Sequence, residues 1–154
     1  MPVTKGDDMS TMQPMTMDHL ARYGEIYATA FSGEPWNDAW QPADAEVHVR
    51  EILESPQAYG MEYLVDGQVA GFLLGASMLF HYGRTFEIND LAVHPDFQGQ
   101  GIATQLLERC KADMRARGMA GINLITSADG YLPEWYARQG FARENSVILM
   151  GMEL

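Results

Sequence analysis

The chain has one cysteine, Cys110. An internal disulfide is therefore excluded, and nothing suggests a secreted, disulfide-stapled scaffold. Basic residues are scarce: ten Lys and Arg stand against 21 Asp and Glu, a net charge of −11. Such a balance argues against nucleic acid as a partner, because phosphate backbones are held by clustered Lys and Arg. Long apolar runs are absent as well. The longest stretch, residues 69–80, is broken by Gly71 and Gly75 and falls short of the ~20 residues of a membrane helix. No His, Cys, Asp and Glu residues recur at metal-ligand spacing, so no metal is expected. Residues 1–8 carry Lys5, Asp7 and Asp8 without an apolar core and do not read as a signal peptide. They are expected to form a flexible tail before a single domain over residues 9–154. The expected setting is cytoplasmic, with no membrane partner.

Composition otherwise is that of an ordinary globular domain, with 47% apolar and 20% charged residues. The negative charge is uneven: residues 1–66 carry −9 and residues 67–154 carry −2. An acidic first half fits solubility and also fits a cationic acceptor.

Hydrophobic periodicity gives an order β-α-α-β-β-β-α-β-α-β-β, an α/β (α+β, mixed-sheet) domain whose central sheet is mostly antiparallel. A first strand at residues 10–15 carries Pro14, which suits an edge. Leu20, Tyr23, Ile26, Tyr27 and Phe31 recur at helical spacing after Asp18. A second helix starts at Ala43 or Asp44. Asp66-Gly67 between two apolar runs is a two-residue hairpin turn, since both positions need positive φ. A long strand follows over residues 85–93. Ile102, Leu106, Leu107, Cys110 and Met114 then form one helical stripe. A short helix covers residues 132–138. Residues 141–143 and 147–154 are expected to close the chain as an antiparallel pair around Glu144-Asn145-Ser146.

The chemistry is concentrated in Leu91-Ala92-Val93-His94-Pro95-Asp96-Phe97-Gln98-Gly99-Gln100-Gly101-Ile102-Ala103. A strand enters a glycine-bearing loop that opens a helix. Consecutive backbone N–H groups and the positive end of a helix suit a pyrophosphate. No Lys follows the glycines as in a Walker-type loop, and no G-x-G-x-x-G is present.

This segment resembles the GCN5-related N-acetyltransferases. Gln98-Gly99-Gln100-Gly101-Ile102-Ala103 fits that family's Gln/Arg-x-x-Gly-x-Gly/Ala signature. Residues 87–95 look like its fourth strand, the Asp66-Gly67 hairpin like its second and third strands, and Trp135-Tyr136-Ala137-Arg138-Gln139-Gly140-Phe141 like its late Phe-Tyr-x-x-x-Gly-Phe segment. The resemblance implies a fold with splayed fourth and fifth strands, acetyl-CoA in the V between them, and direct acetyl transfer to a primary amine of a small cationic or peptidic substrate. A non-catalytic acyl-CoA sensor on the same fold is the alternative reading. It also implies that the main chain of Leu91, Ala92 and Val93 pairs with the pantetheine arm, that Gln98 to Ala103 hold the pyrophosphate, and that Tyr136 lies near the coenzyme sulfur as a proton donor. Ser127 is a further cofactor contact. The chain departs from the family at Asp129, where relatives often have Asn. Family members are commonly dimers, so a homodimer is an expectation by analogy.

A free alkyl amine, with a pKa of about 10, must lose a proton before it attacks a thioester. Glu87 lies eleven residues before Gln98, the spacing of the catalytic glutamate in the histone-acetyltransferase branch, and is the candidate base. Strict alternation would place Glu87, Asn89, Leu91 and Val93 on one face and Asp90 on the other. Trp36, Trp40, His81, Tyr82 and Asn89 are the candidate acceptor contacts, because aromatic faces with nearby carboxylates hold cations.

Overall fold

Asp66 and Gly67 both adopt positive φ, +50° and +79°, and close the hairpin that the Asp-Gly pair predicts. The computed structural model describes residues 9–154; the expected tail at residues 1–8 lies outside them. The hairpin strands are β2 (Ala58–Val65) and β3 (Gln68–Phe80). They lie in a five-stranded sheet of order β1-β2-β3-β4-β5, with β1 at Ser10–Pro14, β4 at Gly83–Val93 and β5 at Gly121–Leu124. The first three pairings are antiparallel and β4 runs parallel to β5.

Helices cover both faces. Helices α1 (Leu20–Phe31) and α2 (Pro42–Leu53) lie on one, α3 (Ile102–Ala116) on the other. Tyr23, Ile26, Ala45 and Val49 bury themselves against Leu64, Phe72, Leu74 and Ala92. On the opposite face the α3 stripe of Ile102, Leu106, Leu107, Cys110 and Met114 packs on Tyr59, Met61, Leu73, Phe86 and Ile88. The stripe is the one that helical periodicity marks. Beneath α1, the fully buried Glu62 carboxylate accepts hydrogen bonds from the Tyr23 hydroxyl and from Gln13 Nε2 at 2.6 Å, with His19 Nδ1 at 2.9 Å. A buried carboxylate is tolerated only with such partners, and these tie β1 and α1 to β2.

Simple alternation fails in β4. The pairing with β3 shifts between Leu74↔Asp90 and Gly75↔Ile88, so Asn89 is an extra residue without a partner. A bulge of this kind reverses which face each later side chain meets. Phe86 and Ile88 face α3, and so do Leu91 and Val93. Ala92 faces α1 and α2. Glu87 therefore shares the α1/α2 face with Asp90, and the expected grouping of Glu87 with Leu91 and Val93 is corrected. Gly75 is what permits the bulge. A Cβ there would run into the Glu87 carbonyl oxygen and come within 2.7 Å of Phe86 Cζ.

A second correction concerns the C-terminus. Residues 141–143 and 147–154 form no strands. The local turn does form, with Ser146 N and Oγ donating to Glu144 Oε1. Before it, however, Phe141 packs on the α3 core and Arg143 Nη2 donates to the Ala128 carbonyl at 2.6 Å. These anchors draw residues 141–143 away from a ladder, and residues 147–154 find no strand beside them.

Candidate active site

The glycine loop fixes the first part of the site. β4 ends at Val93 and a single 3-10 turn, Pro95–Phe97, follows. Gln98 Nε2 reaches back to donate to the Val93 carbonyl at 3.1 Å. Gly99 and Gly101 then adopt φ of +75° and +79°, a region that costs an L-residue about 1–2 kcal/mol. α3 starts at Ile102 with no side chain capping it. The first amides of a helix lack intrahelical acceptors, and those of Ile102, Ala103 and Thr104 find none among the described residues. A Cβ built at Gly99 or Gly101 meets nothing within 4 Å. The loop thus presents unpaired N–H groups, and the positive end of a 15-residue helix, to open space.

Beside the loop the sheet splits. β4 and β5 pair only from Thr85↔Gly121 to Ile88↔Leu124. β5 stops at Leu124, while β4 continues through Asn89, Asp90, Leu91, Ala92 and Val93. One edge of those β4 residues is left open toward the gap. Strand edges of this kind accept an extended ligand through main-chain hydrogen bonds. Ser127, in the connection from β5 to α4 (Tyr131–Arg138), is partly buried and donates to the Asp129 carbonyl at 3.0 Å. Tyr136 on α4 packs edge-on between Trp135 and Phe141, at 4.9 and 5.6 Å between ring centroids. Burial pushes its phenol up to about 12, so it keeps its proton at neutral pH. Lys111 Nζ donates to the Gln139 carbonyl at 2.6 Å and holds the end of α4 to α3.

The other side of the bulge carries a cluster that alternation could not reveal. Asp90 is buried, and His48 Nε2 of α2 lies 2.9 Å from its Oδ2. That hydrogen bond raises the imidazole pKa above its ordinary value, against the opposing effect of burial. The Tyr27 ring lies 4.9 Å from His48, and Trp40 lies 5.4 Å from it. Burial and the Asp90 carboxylate hold the Tyr27 phenol protonated. Glu87 stands exposed on the same face, two strand positions before the bulge. Of the candidate acceptor contacts, Trp40 joins this cluster, Asn89 is the bulge residue itself, and Trp36 packs beside Phe31 at 6.1 Å. His81 and Tyr82 sit instead at the tip of the β3–β4 hairpin, ~20 Å along the strand from Asn89. Asp90 and His48 are the residues that sequence reasoning missed. The available signals were a glycine inside a long strand and a polar Asn-Asp pair interrupting an apolar one.

A model of the acetyltransferase (GNAT) family matches residues 20–141. The chain belongs to the GNAT acetyltransferase family. An acetyltransferase of Sodalis glossinidius is 31% identical over 121 residues, 78% of each chain. Among solved structures, a possible acetyltransferase of Clostridium difficile 630 superposes with a TM-score of 0.81 at 13% identity, covering 94% of this chain and 97% of that one. The aminoglycoside N-acetyltransferase AAC(6′)-Iy in complex with CoA gives 0.69 at 19% identity, covering 96% and 97%. The expected fold, a mostly antiparallel sheet with splayed fourth and fifth strands and flanking helices, is the one found, and it matches these GNAT structures.

GNAT enzymes use acetyl-CoA, and the residues present fit it. The uncapped α3 N-terminus, the two left-handed glycines and the open β4 edge are three consecutive features along one path. A concavity of about 520 Å³, lined by Pro14, Leu53, Tyr59, Arg109 and Arg117 among others, lies at the other end of α3 and shares no residue with this path. Cys110 is fully buried, and burial pushes its thiol up to about 12, so it cannot serve this GNAT enzyme as a nucleophile. Among the described residues no three His, Cys, Asp or Glu side chains gather as a metal site. No helix among them is long and apolar enough to cross a membrane.

Proposed function

We propose that the chain transfers the acetyl group of acetyl-CoA directly to a primary amine of a small cationic or peptidic acceptor. The observation that carries this reading is the row of unpaired amides from the glycine loop into α3, set beside the open edge of β4. Gln98, Gly99, Gln100, Gly101, Ile102 and Ala103 hold the pyrophosphate, and the main chain of Leu91, Ala92 and Val93 aligns the pantetheine arm. Ser127 adds a contact from the β5–α4 connection. When bound, acetyl-CoA supplies the thioester that is cleaved.

Tyr136 enters the reaction protonated, as a phenol with a pKa of about 10 or above is at neutral pH, and donates that proton to the departing thiolate. Glu87 accepts the proton that the amine must lose. Glu87 stands exposed on the α1/α2 face, away from the face that α3 covers, and the bulge brings Asp90 onto that same face. The acceptor approaches that face, where Glu87, Asp90, Trp40, Trp36 and Asn89 offer carboxylates, aromatic rings and an amide oxygen to a cation. His81 and Tyr82 at the hairpin tip would reach only the far end of an elongated acceptor. One structural neighbour is an aminoglycoside N-acetyltransferase, so aminoglycosides belong on the acceptor panel beside polyamines and peptides.

The test is CoA release from acetyl-CoA over that panel, with the product mass measured. An acceptor that gains one acetyl group on nitrogen supports the proposal. CoA binding with no turnover on any amine would refute it.

A further inference from the structure

Arg109, Asp113 and Arg117 stand at i, i+4 and i+8 of α3, a row along one side of the helix. All three line the concavity at its far end. Asp113 accepts from Arg109 Nε at 3.2 Å and from the Tyr59 hydroxyl at 2.6 Å. The Arg117 guanidinium sits over the Tyr59 ring, 5.0 Å from its centroid. The carboxylate is thereby occupied. The two terminal nitrogens of Arg109 and the whole Arg117 guanidinium, in contrast, find no hydrogen-bond acceptor among the described residues. Met15, Leu53, Ala58 and Met61 supply the apolar part of the lining. Exposed arginines are ordinarily solvated and idle, but these two are placed against the trend of the chain. Residues 109–117 hold four of its ten basic residues and one of its 21 acidic ones, a local charge of +3 on a chain of −11. The helix dipole explains a cation in the last turn, such as Arg115. It does not explain Arg109, two turns earlier.

We propose that this concavity is a second binding site, for a small organic carboxylate with a short aliphatic or aryl tail. Its volume of about 520 Å³ falls within the ~300–1,000 Å³ of small-molecule sites. The two oxygens of a carboxylate match the planar fork of a guanidinium. A guanidinium stacked on a ring keeps its in-plane N–H groups for such an acceptor. Two arginines against one aspartate leave the lining with a single positive charge, which a monoanion matches and a dianionic phosphate does not. The tail would lose water against Met15, Leu53 and Met61, and methionine side chains adjust to the shape they meet. The site shares no residue with the glycine loop or the β4 edge, so it stands whether or not the chain transfers acetyl groups.

The experiment is a nitrogen-proton NMR titration of the full chain with hexanoate, repeated with hexanol, with inorganic phosphate and in the presence of saturating CoA. Hexanoate should shift the amides of residues 58–61 and 109–117 and saturate with a Kd of about 1 mM, as expected for so small a ligand. Hexanol and phosphate should each bind at least ~10-fold more weakly, since each offers only half of the recognition. Arg109→Gln and Arg117→Gln should each weaken hexanoate by ~10-fold. Both side chains are exposed, so near-UV circular dichroism should be unchanged. Saturating CoA should leave hexanoate binding intact. No saturable shift at ten times that concentration would overturn the proposal. So would phosphate or hexanol binding as well as hexanoate, which would mark a simple anion patch or a greasy surface. Unchanged affinity in both arginine variants, or displacement of hexanoate by CoA, would overturn it equally.

Discussion

Gly75→Ala tests whether the β4 bulge organises the site. The added methyl would overlap the Glu87 carbonyl oxygen, approach Phe86 Cζ to 2.7 Å and the Glu87 carbonyl carbon to 3.0 Å. Neither neighbour can step aside freely. Phe86 is fully buried and packs edge-on to Tyr59 at 5.5 Å, and the carbonyl is main chain. Relief must come from β4 moving away from β3 at the bulge. Overpacking of this kind costs about 1–3 kcal/mol. Taking ~2 kcal/mol, the folded-to-unfolded ratio falls about 30-fold, and Tm falls by roughly 4–8 °C for a domain of this size. Movement at the bulge also shifts Glu87, Asn89 and Asp90 together, so kcat should fall more than stability alone explains, at temperatures where the variant is folded. Gly33→Ala is the control: a Cβ there meets nothing within 4 Å, and Tm should stay within about 1–2 °C. Thermal unfolding with steady-state kinetics on both variants is the assay. An unchanged Tm and kcat for Gly75→Ala would show that the strand pairing drawn here is wrong.

Tyr136→Phe should lower kcat by roughly 10²-fold with CoA affinity unchanged in calorimetry, since only the proton is removed. Glu87→Gln should lower kcat/KM for the acceptor by a similar ~10²-fold, again without loss of CoA binding. His48 gives a pH signature. Its pKa is raised from 6.5 by Asp90, so the pair stabilises the fold fully below pH 6.5 and loses that contribution as pH rises through the folded value. Tm measured from pH 6 to pH 9 should therefore fall more steeply for the native chain than for His48→Gln. Gly101→Ala places a side chain where φ is +79° and into the space before the loop. CoA affinity should drop by ~10-fold or more if one amide contact to a charged group is lost.

Much of this was legible without coordinates. The Asp66-Gly67 turn, the α3 stripe and the Gln98–Ala103 segment each carry a local rule: positive φ, helical period, or glycines before a helix. The bulge at Asn89 obeys no local rule. It depends on Gly75 lying across from it on another strand, and one inserted residue reversed the faces of everything after it. Hence strict alternation groups Glu87 with the wrong neighbours, and it does not reveal the Asp90–His48 pair, 42 positions apart in the chain. The C-terminus failed for a different reason. Val147, Ile148 and Leu149 have strand-forming chemistry, which says that a segment wants a partner strand but not where that partner is.

The central claim is that amides from Gln98 to Thr104, with the main chain of β4 after Asn89, receive the donor. Amide shifts in a nitrogen-proton NMR spectrum report on those groups individually. Titration with CoA should move the resonances of residues 98–104 and 89–93 first and most. Perturbations that spare the loop and centre instead on the concavity of Arg109 and Arg117 would contradict the account.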